Sequence, residues 1–149
     1  TNGSDTLPSS TAAALSALEP ANILIAGGKD VVTPGAERAL TAFAEVDRAG
    51  GIDRFATAAA LSDLVDQPTT FKNTGVAITN GADHAMADAL SFAHVAAQKG
   101  WPILLSRLEC LPDASGAAIG AHESHATRVV VGGLQVIEDG VLNALTPCG

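Results

Sequence analysis

An α/β fold is predicted, with a mostly parallel sheet and helices on both faces in three layers. Three features of the chain predict it. Four short apolar runs, Ile23–Ala26, Val76–Ile78, Ile103–Leu105 and Val129–Val131, are continuous rather than alternating, as in parallel strands buried on both faces. Ala-rich stretches of helical spacing separate them. Strand–helix alternation of this kind implies a doubly covered sheet with right-handed crossovers.

The elements follow in order. Pro8–Leu18 reads as the first helix, and Ile23–Ala26 as the first strand. Thr33 is placed to cap the next helix, with Pro34 at its first position, where a missing N–H costs nothing. This helix is expected to run to about Glu45, and Val46–Arg48 is a candidate for one more short strand. Asp53 can cap a helix Arg54–Val65, whose Phe55, Ala58, Ala59 and Ser62 share one face. Asp83 can cap a helix Ala85–Lys99, ended by Gly100 as expected of a residue just past a helix. Pro112–His122 and Asp139–Leu145 complete the set.

The chain also repeats itself. Gly27-Gly28 recurs as Gly132-Gly133, Val31 as Val136, Gly35 as Gly140, and Ala39-Leu40 as Ala144-Leu145. Upstream, Ile23–Ile25 meets Val129–Val131, and Leu7-Pro8 meets Leu111-Pro112 after a one-residue gap. Val46–Arg107 occurs once. Residues 1–45 therefore read as the C-terminal tail of a preceding repeat, and 46–149 as one complete repeat, together expected as one compact unit. A period of about a hundred residues suits a domain-sized unit better than a solenoid coil.

Composition excludes several functions. The net charge is −8, with only eight Lys and Arg, so the basic footprint of a nucleic-acid binder is missing. A membrane-surface role is disfavoured for the same reason, and no apolar run approaches the roughly 18–20 residues that span a bilayer. Thr1–Ser10 has neither the basic start nor the apolar stretch of a signal peptide, so the sequence reads as a mature or trimmed piece. There is no Tyr, and Trp101, Phe43, Phe55, Phe71 and Phe92 sit mostly in apolar contexts, so an aromatic sugar platform is not expected. Cys110 and Cys148 are too far apart for a CxxC metal or redox motif. The pair is compatible with one disulfide, worth about 4 kcal/mol at most, or with two unrelated thiols. A bridge would imply maturation in an oxidising compartment.

Ligands of such sheets sit beyond the carboxyl ends of the strands. Those ends are Gly27–Asp30, Thr79–Asp83, Ser106-Arg107 and Gly132–Gln135. No GxGxxG or Walker pattern occurs, so Gly27-Gly28 reads as a tight turn and no cofactor is expected. Asp83, His84 and Asp88 invite a metal reading, but a cap plus polar surface accounts for them, and no metal site is assigned. His122-Glu123-Ser124-His125 is not HExxH and reads as a solvated loop. Ser91 and His94 lack a third partner, so no hydrolytic triad can be argued. Arg48, Arg54 and Arg107 are the candidates for ligand contacts, because arginine grips carboxylate or phosphate bidentately. The alternative for each is an ion pair inside the fold, with Asp53 or Asp88 as partner. Asn80 and Asp83 lie near them on the strand-end edge.

Three stretches together resemble a known family. Arg48–Ala58 is similar to the signature R-x-G-x-DRYxTA, with Phe55 in place of Tyr. Met86–Leu90 resembles its F-P-DAL helix start, with Ala87 in place of Pro. Pro102–Leu105, then Leu111-Pro112 and Val129–Gly133, resemble its PILL…LP…VYIVGG ending. This is the type-two cell wall binding repeat of secreted bacterial surface proteins. The resemblance implies flavodoxin- or Toprim-like units that anchor a surface protein non-covalently to anionic wall polymers, outside the cytoplasm and without catalysis. It also implies packing of modules near Pro102, Ile103, Leu104 and Leu105, hence neighbouring modules or a homo-oligomer as partners. Residues 46–149 carry six Lys/Arg against eleven Asp/Glu, so long-range attraction opposes an anionic polymer. Binding then needs a local Arg cluster, bridging divalent cations such as calcium, or a neutral ligand. A structural, protein-binding surface domain is the alternative, and a hydrolase using the strand-end edge is a third.

Overall fold

A computed structural model describes residues 4–65, 75–121, 127–143 and 145–148. The elements are α1 (Ser9–Leu18), β1 (Asn22–Ala26), α2 (Pro34–Leu40), β2 (Glu45–Ala49), α3 (Arg54–Val65), β3 (Gly75–Asn80), α4 (Met86–Lys99), β4 (Ile103–Ser106), α5 (Asp113–Ala121), β5 (Thr127–Val131) and α6 (Asp139–Asn143). Every strand pair is parallel. Helices flank these parallel strands, so the α/β class is the one observed.

The chain forms two compact units, Thr1–Asp53 and Arg54–Gly149. In the first, β1 pairs with β2 from Asn22↔Glu45 to Ala26↔Ala49. In the second, the strand order is β4-β3-β5. The division follows hydrogen bonding. β2, which the repeat phase groups with the later residues, is bonded to β1 of the earlier ones.

The second unit's core explains its continuous apolar strands. All six residues of β3 are buried, so both faces of this central strand are covered. Val76, Ile78 and Leu104 pack with Leu111, Ala118, Ile119, Ile137 and Val141. Ala59 of α3 joins this cluster, and Ser62, one turn further on, is 1% exposed with its hydroxyl donating to the Ala59 carbonyl. The face read from the sequence of α3 is thus its packed face.

Several helix boundaries differ from expectation. α2 stops at Leu40 rather than Glu45. The Thr41 hydroxyl donates to the Arg38 carbonyl and the Phe43 N–H to the Leu40 carbonyl, and the chain turns into β2. Its start is as expected: the Thr33 hydroxyl accepts from the Ala36 N–H, with Pro34 at the first position. Asp83 does not cap a helix by its side chain. It opens a 3₁₀ turn, Asp83–Ala85, and α4 begins at Met86. Gly100 ends α4 at φ 65°, and its N–H reaches the Ala96 and Ala97 carbonyls. α5 and α6 are each trimmed against the expected ranges, and His122–His125 lie outside the described residues.

Cys110 and Cys148 are bridged. Beside the bridge the Leu111 N–H donates to the Thr146 carbonyl, and the Cys148 N–H to the Leu111 carbonyl. The last described residues are thus sewn to the loop after β4. No helix among the described residues is long and apolar enough to cross a membrane.

Candidate functional site

The carboxyl ends of β3 and β4 open on a cavity of about 420 Å³ in the second unit. Arg54, Phe55, Asn80, His84, Arg107 and Gln135 are among its lining residues. The topology accounts for the convergence. β3 delivers Asn80, β4 delivers Ser106 and then Arg107, and α3 begins with Arg54-Phe55. Gln135 comes from the turn after β5.

Asn80 builds the rim rather than a ligand contact. Only 4% exposed, its amide donates to the Val136 carbonyl and accepts from the Ala82 N–H. Both ends of the side chain are therefore used to hold the turn after β5 against the turn after β3. Gly81 follows in close contact: a Cβ there would lie 2.9 Å from the Phe55 ring.

Arg54 spans the mouth. Its Nη1 donates to the Gly81 carbonyl at 2.5 Å and to Asp83 Oδ1 at 2.6 Å. The Arg54 side chain remains 49% exposed and that of Asp83 90%. The hydrogen bond from Arg54, helped by its charge, holds the Asp83 carboxyl below its ordinary pKa. Arg107 lies with its guanidinium carbon 5.2 Å from the centre of the Phe55 ring. Stacked there, its charge is oriented without being neutralised. Among the described residues, no carboxylate lies within ion-pair distance of it.

Arg48 is placed differently. It belongs to the first unit, with its side chain only 13% exposed. Nη1 donates to the Gly27 carbonyl at 2.6 Å, and Nη2 to the Val32 carbonyl at 2.9 Å and to Glu37 Oε2 at 3.0 Å. The guanidinium closes the turn after β1. That hydrogen bond and charge lower the pKa of Glu37. The carboxylate partners are Glu37 for Arg48 and Asp83 for Arg54.

Arg54, Asn80 and Arg107 thus line one strand-end cavity of the second unit, with Asp83 held by Arg54, whereas Arg48 belongs to the first unit and is not among the lining residues. Pro102, Leu104 and Leu105, read as an oligomer surface, are buried, and Ile103 is half-buried. Their side chains serve the core because β4 packs under α3. Phe55 was not expected at a site, yet it carries Arg107; its place in the first turn of α3, beside Arg54, is the signal that could have pointed there. His84 lines the cavity, and no metal-holding group of three His, Cys, Asp or Glu occurs among the described residues.

Comparison with known proteins identifies the family. Residues 48–142 match the family cell wall binding domain 2 (CWB2). The amidase enhancer of Bacillus subtilis (strain 168) is 31% identical over 109 residues, which cover 73% of this chain and 14% of that protein. Cwp6 from Clostridium difficile superposes with a TM-score of 0.76 at 26% identity, over 90% of this chain and 21% of that one. Cwp8 from the same organism gives 0.71 at 27% identity, over 95% and 23%. The chain therefore spans less than a quarter of each of these proteins. The matched family is one of cell wall binding domains. With the parallel strands, the signature at Arg48–Ala58 and the match over 48–142 all in agreement, the chain belongs to the cell wall binding domain 2 family.

Proposed function

We propose that the chain is a non-catalytic module that holds a secreted or surface protein non-covalently to a wall polymer, through the strand-end cavity of its second unit. The observation that carries this reading is Arg107. It is an exposed cation stacked on Phe55, beside the half-exposed Arg54, in a concave site at the carboxyl ends of β3 and β4. A phosphate or carboxylate on a glycan fits that pair. Because the surrounding charge is negative, attraction acts only at short range.

The non-catalytic part rests on the groups that line the cavity. Ser106 is 1% exposed and its hydroxyl donates to the Thr79 carbonyl, so it is not presented as a nucleophile. Ser91 on α4 likewise donates to the Ala87 carbonyl. Oligomerisation through Pro102–Leu105 is the second reading, and only Ile103 of that segment offers surface. A strict monomer by light scattering at high concentration overturns it.

The test is co-sedimentation with purified bacterial walls at low and high salt, with and without calcium. Salt-sensitive pelleting that is lost in an Arg54→Ala, Arg107→Ala double variant supports anchoring by this site. Pelleting unchanged by the double variant removes the site from the proposal. Pelleting only with calcium assigns the contact to cation bridging.

A further inference from the structure

The two units share a turn that they use differently. Gly27 and Gly132 follow β1 and β5 at φ 137° and 135°, values that L side chains rarely adopt. The Val31 and Val32 N–H groups donate to the Gly28 carbonyl, as those of Val136 and Ile137 do to Gly133. Upstream, Ala12 N–H donates to the Pro8 carbonyl, as Gly116 N–H does to Pro112. Ala36 and Val141, at matching positions after the two turns, are both 0% exposed. β1 and β5 are therefore the same strand in two settings.

Their partners are not the same. β1 bonds to β2, whereas β5 bonds to β3. These bonds leave from opposite edges. Ala77 and Gly81 N–H donate to Pro102 and Ser106, so the odd positions of β3 face β4 and its even positions face β5. With Ile78 paired to Val130, the bonds to β3 then come from Val129 and Val131. The backbones of Arg128, Val130 and Gly132 point to the other edge. In the first unit the Gly27 N–H, at the position of Gly132, donates to the Ala49 carbonyl of β2. The edge that β1 fills with β2 is thus the edge on which β5, among the described residues, pairs with no strand. No residue of β5 is buried, in contrast to β3, and an open parallel edge invites a further strand.

We propose that this edge of β5 docks a β2-type strand from another repeat unit, in parallel, in the register of the β1–β2 pair. This chain's own β2 is already engaged by β1, so the occupant comes from elsewhere. The register sets Val130 opposite the arginine position, as Ile25 is opposite Arg48. The incoming arginine then meets the Gly132 and Ile137 carbonyls, the counterparts of the Gly27 and Val32 carbonyls that Arg48 binds. At the sequence position of Glu37 the repeat carries Leu142, so no matching carboxylate is supplied from that position. The docking edge shares the turn after β5 with the strand-end cavity, which Gln135 lines, but it takes a different ligand, and its failure leaves the wall-binding reading untouched.

The experiment titrates the isotope-labelled chain with a synthetic peptide of residues 43–53 and follows backbone amides. Expected are shifts at Arg128, Val130 and Gly132, and a nitroxide at the peptide's N-terminus that broadens Thr127 more than Gly132. N-methylating the peptide at its Ala49 position, whose N–H faces the acceptor strand, abolishes binding, while N-methylation at the Arg48 position leaves it unchanged. An arginine-to-alanine peptide binds about tenfold more weakly. No shift along β5 at millimolar peptide, shifts confined to Asn22–Ala26, or broadening in the antiparallel sense overturns the proposal.

Discussion

One guanidinium nitrogen of Arg54 holds both the Gly81 carbonyl and the Asp83 carboxylate, at 2.5 and 2.6 Å. The start of α3 is thereby tied to the turn after β3, and half of the arginine still faces water. The pair sets both the shape of the cavity mouth and how much positive charge it shows.

Removing the carboxylate exposes the difference between those roles. In Asp83→Asn the fold is expected to persist, because the Gly81 bond remains, and wall pelleting to strengthen severalfold at low salt. Sedimentation isotherms check this, and weaker pelleting would show that Asp83 itself touches the ligand.

The same pair has a pH signature. The folded pKa of Asp83 is lowered, so its contribution is present above the unfolded value of about 3.9 and is lost as pH falls through the folded value. Carboxyl NMR titration is expected to give a lower midpoint for Asp83 in the native chain than in Arg54→Ala. Equal midpoints would mean that the ion pair does not persist in solution.

Arg48 is expected to act on stability rather than on binding at the cavity. Arg48→Ala leaves the Gly27 and Val32 carbonyls without their donor and costs about 1–3 kcal/mol. Denaturant unfolding measures the loss, and wall pelleting of the folded variant is expected to stay near that of the native chain.

Asn80→Ala removes an amide that is bonded at both ends and almost wholly buried. A loss of about 2–3 kcal/mol is expected, together with loosening of the Val136 turn, readable as faster amide exchange at Ala82. Asn80→Asp keeps the acceptor and loses the donor, so Ala82 protection is expected to survive in that variant.

The bridge between Cys110 and Cys148 closes a loop with a sequence separation of 38. The loop-entropy relation assigns it about 4 kcal/mol. A Cys110→Ser, Cys148→Ser variant is expected to melt several degrees lower than the native chain, and reductant to lower the native melting point but not that of the variant. Insensitivity of the native chain to reductant at full reduction would refute the assignment.

Local chemistry in the sequence determined the element order. Thr33-Pro34 can begin a helix and Gly100 can end one, whatever surrounds them. Continuous apolar runs such as Val76–Ile78 can be satisfied only by burial on both faces, which implies parallel strands under helices. The ordered motifs around Arg54 and Pro102 carried the family. The sequence also put Arg54, Asn80, Asp83 and Arg107 on the strand-end side, because all follow or precede strand termini.

Tertiary structure alone decided what those side chains do. Arg48 and Arg54 are the same residue type a few positions apart, yet one is enclosed by two carbonyls and Glu37 while the other reaches Asp83 in the open. Which carboxylate meets which arginine depends on groups far apart in the chain, and no local preference encodes it. The same holds for Phe55 beneath Arg107, and for Asn80, whose amide is consumed by a turn more than fifty residues away. Hydrogen bonds between distant segments form only when the sheet has placed them, so charge and motif indicated the strand-end side, and packing decided which of its polar side chains are consumed by the fold and which stay exposed.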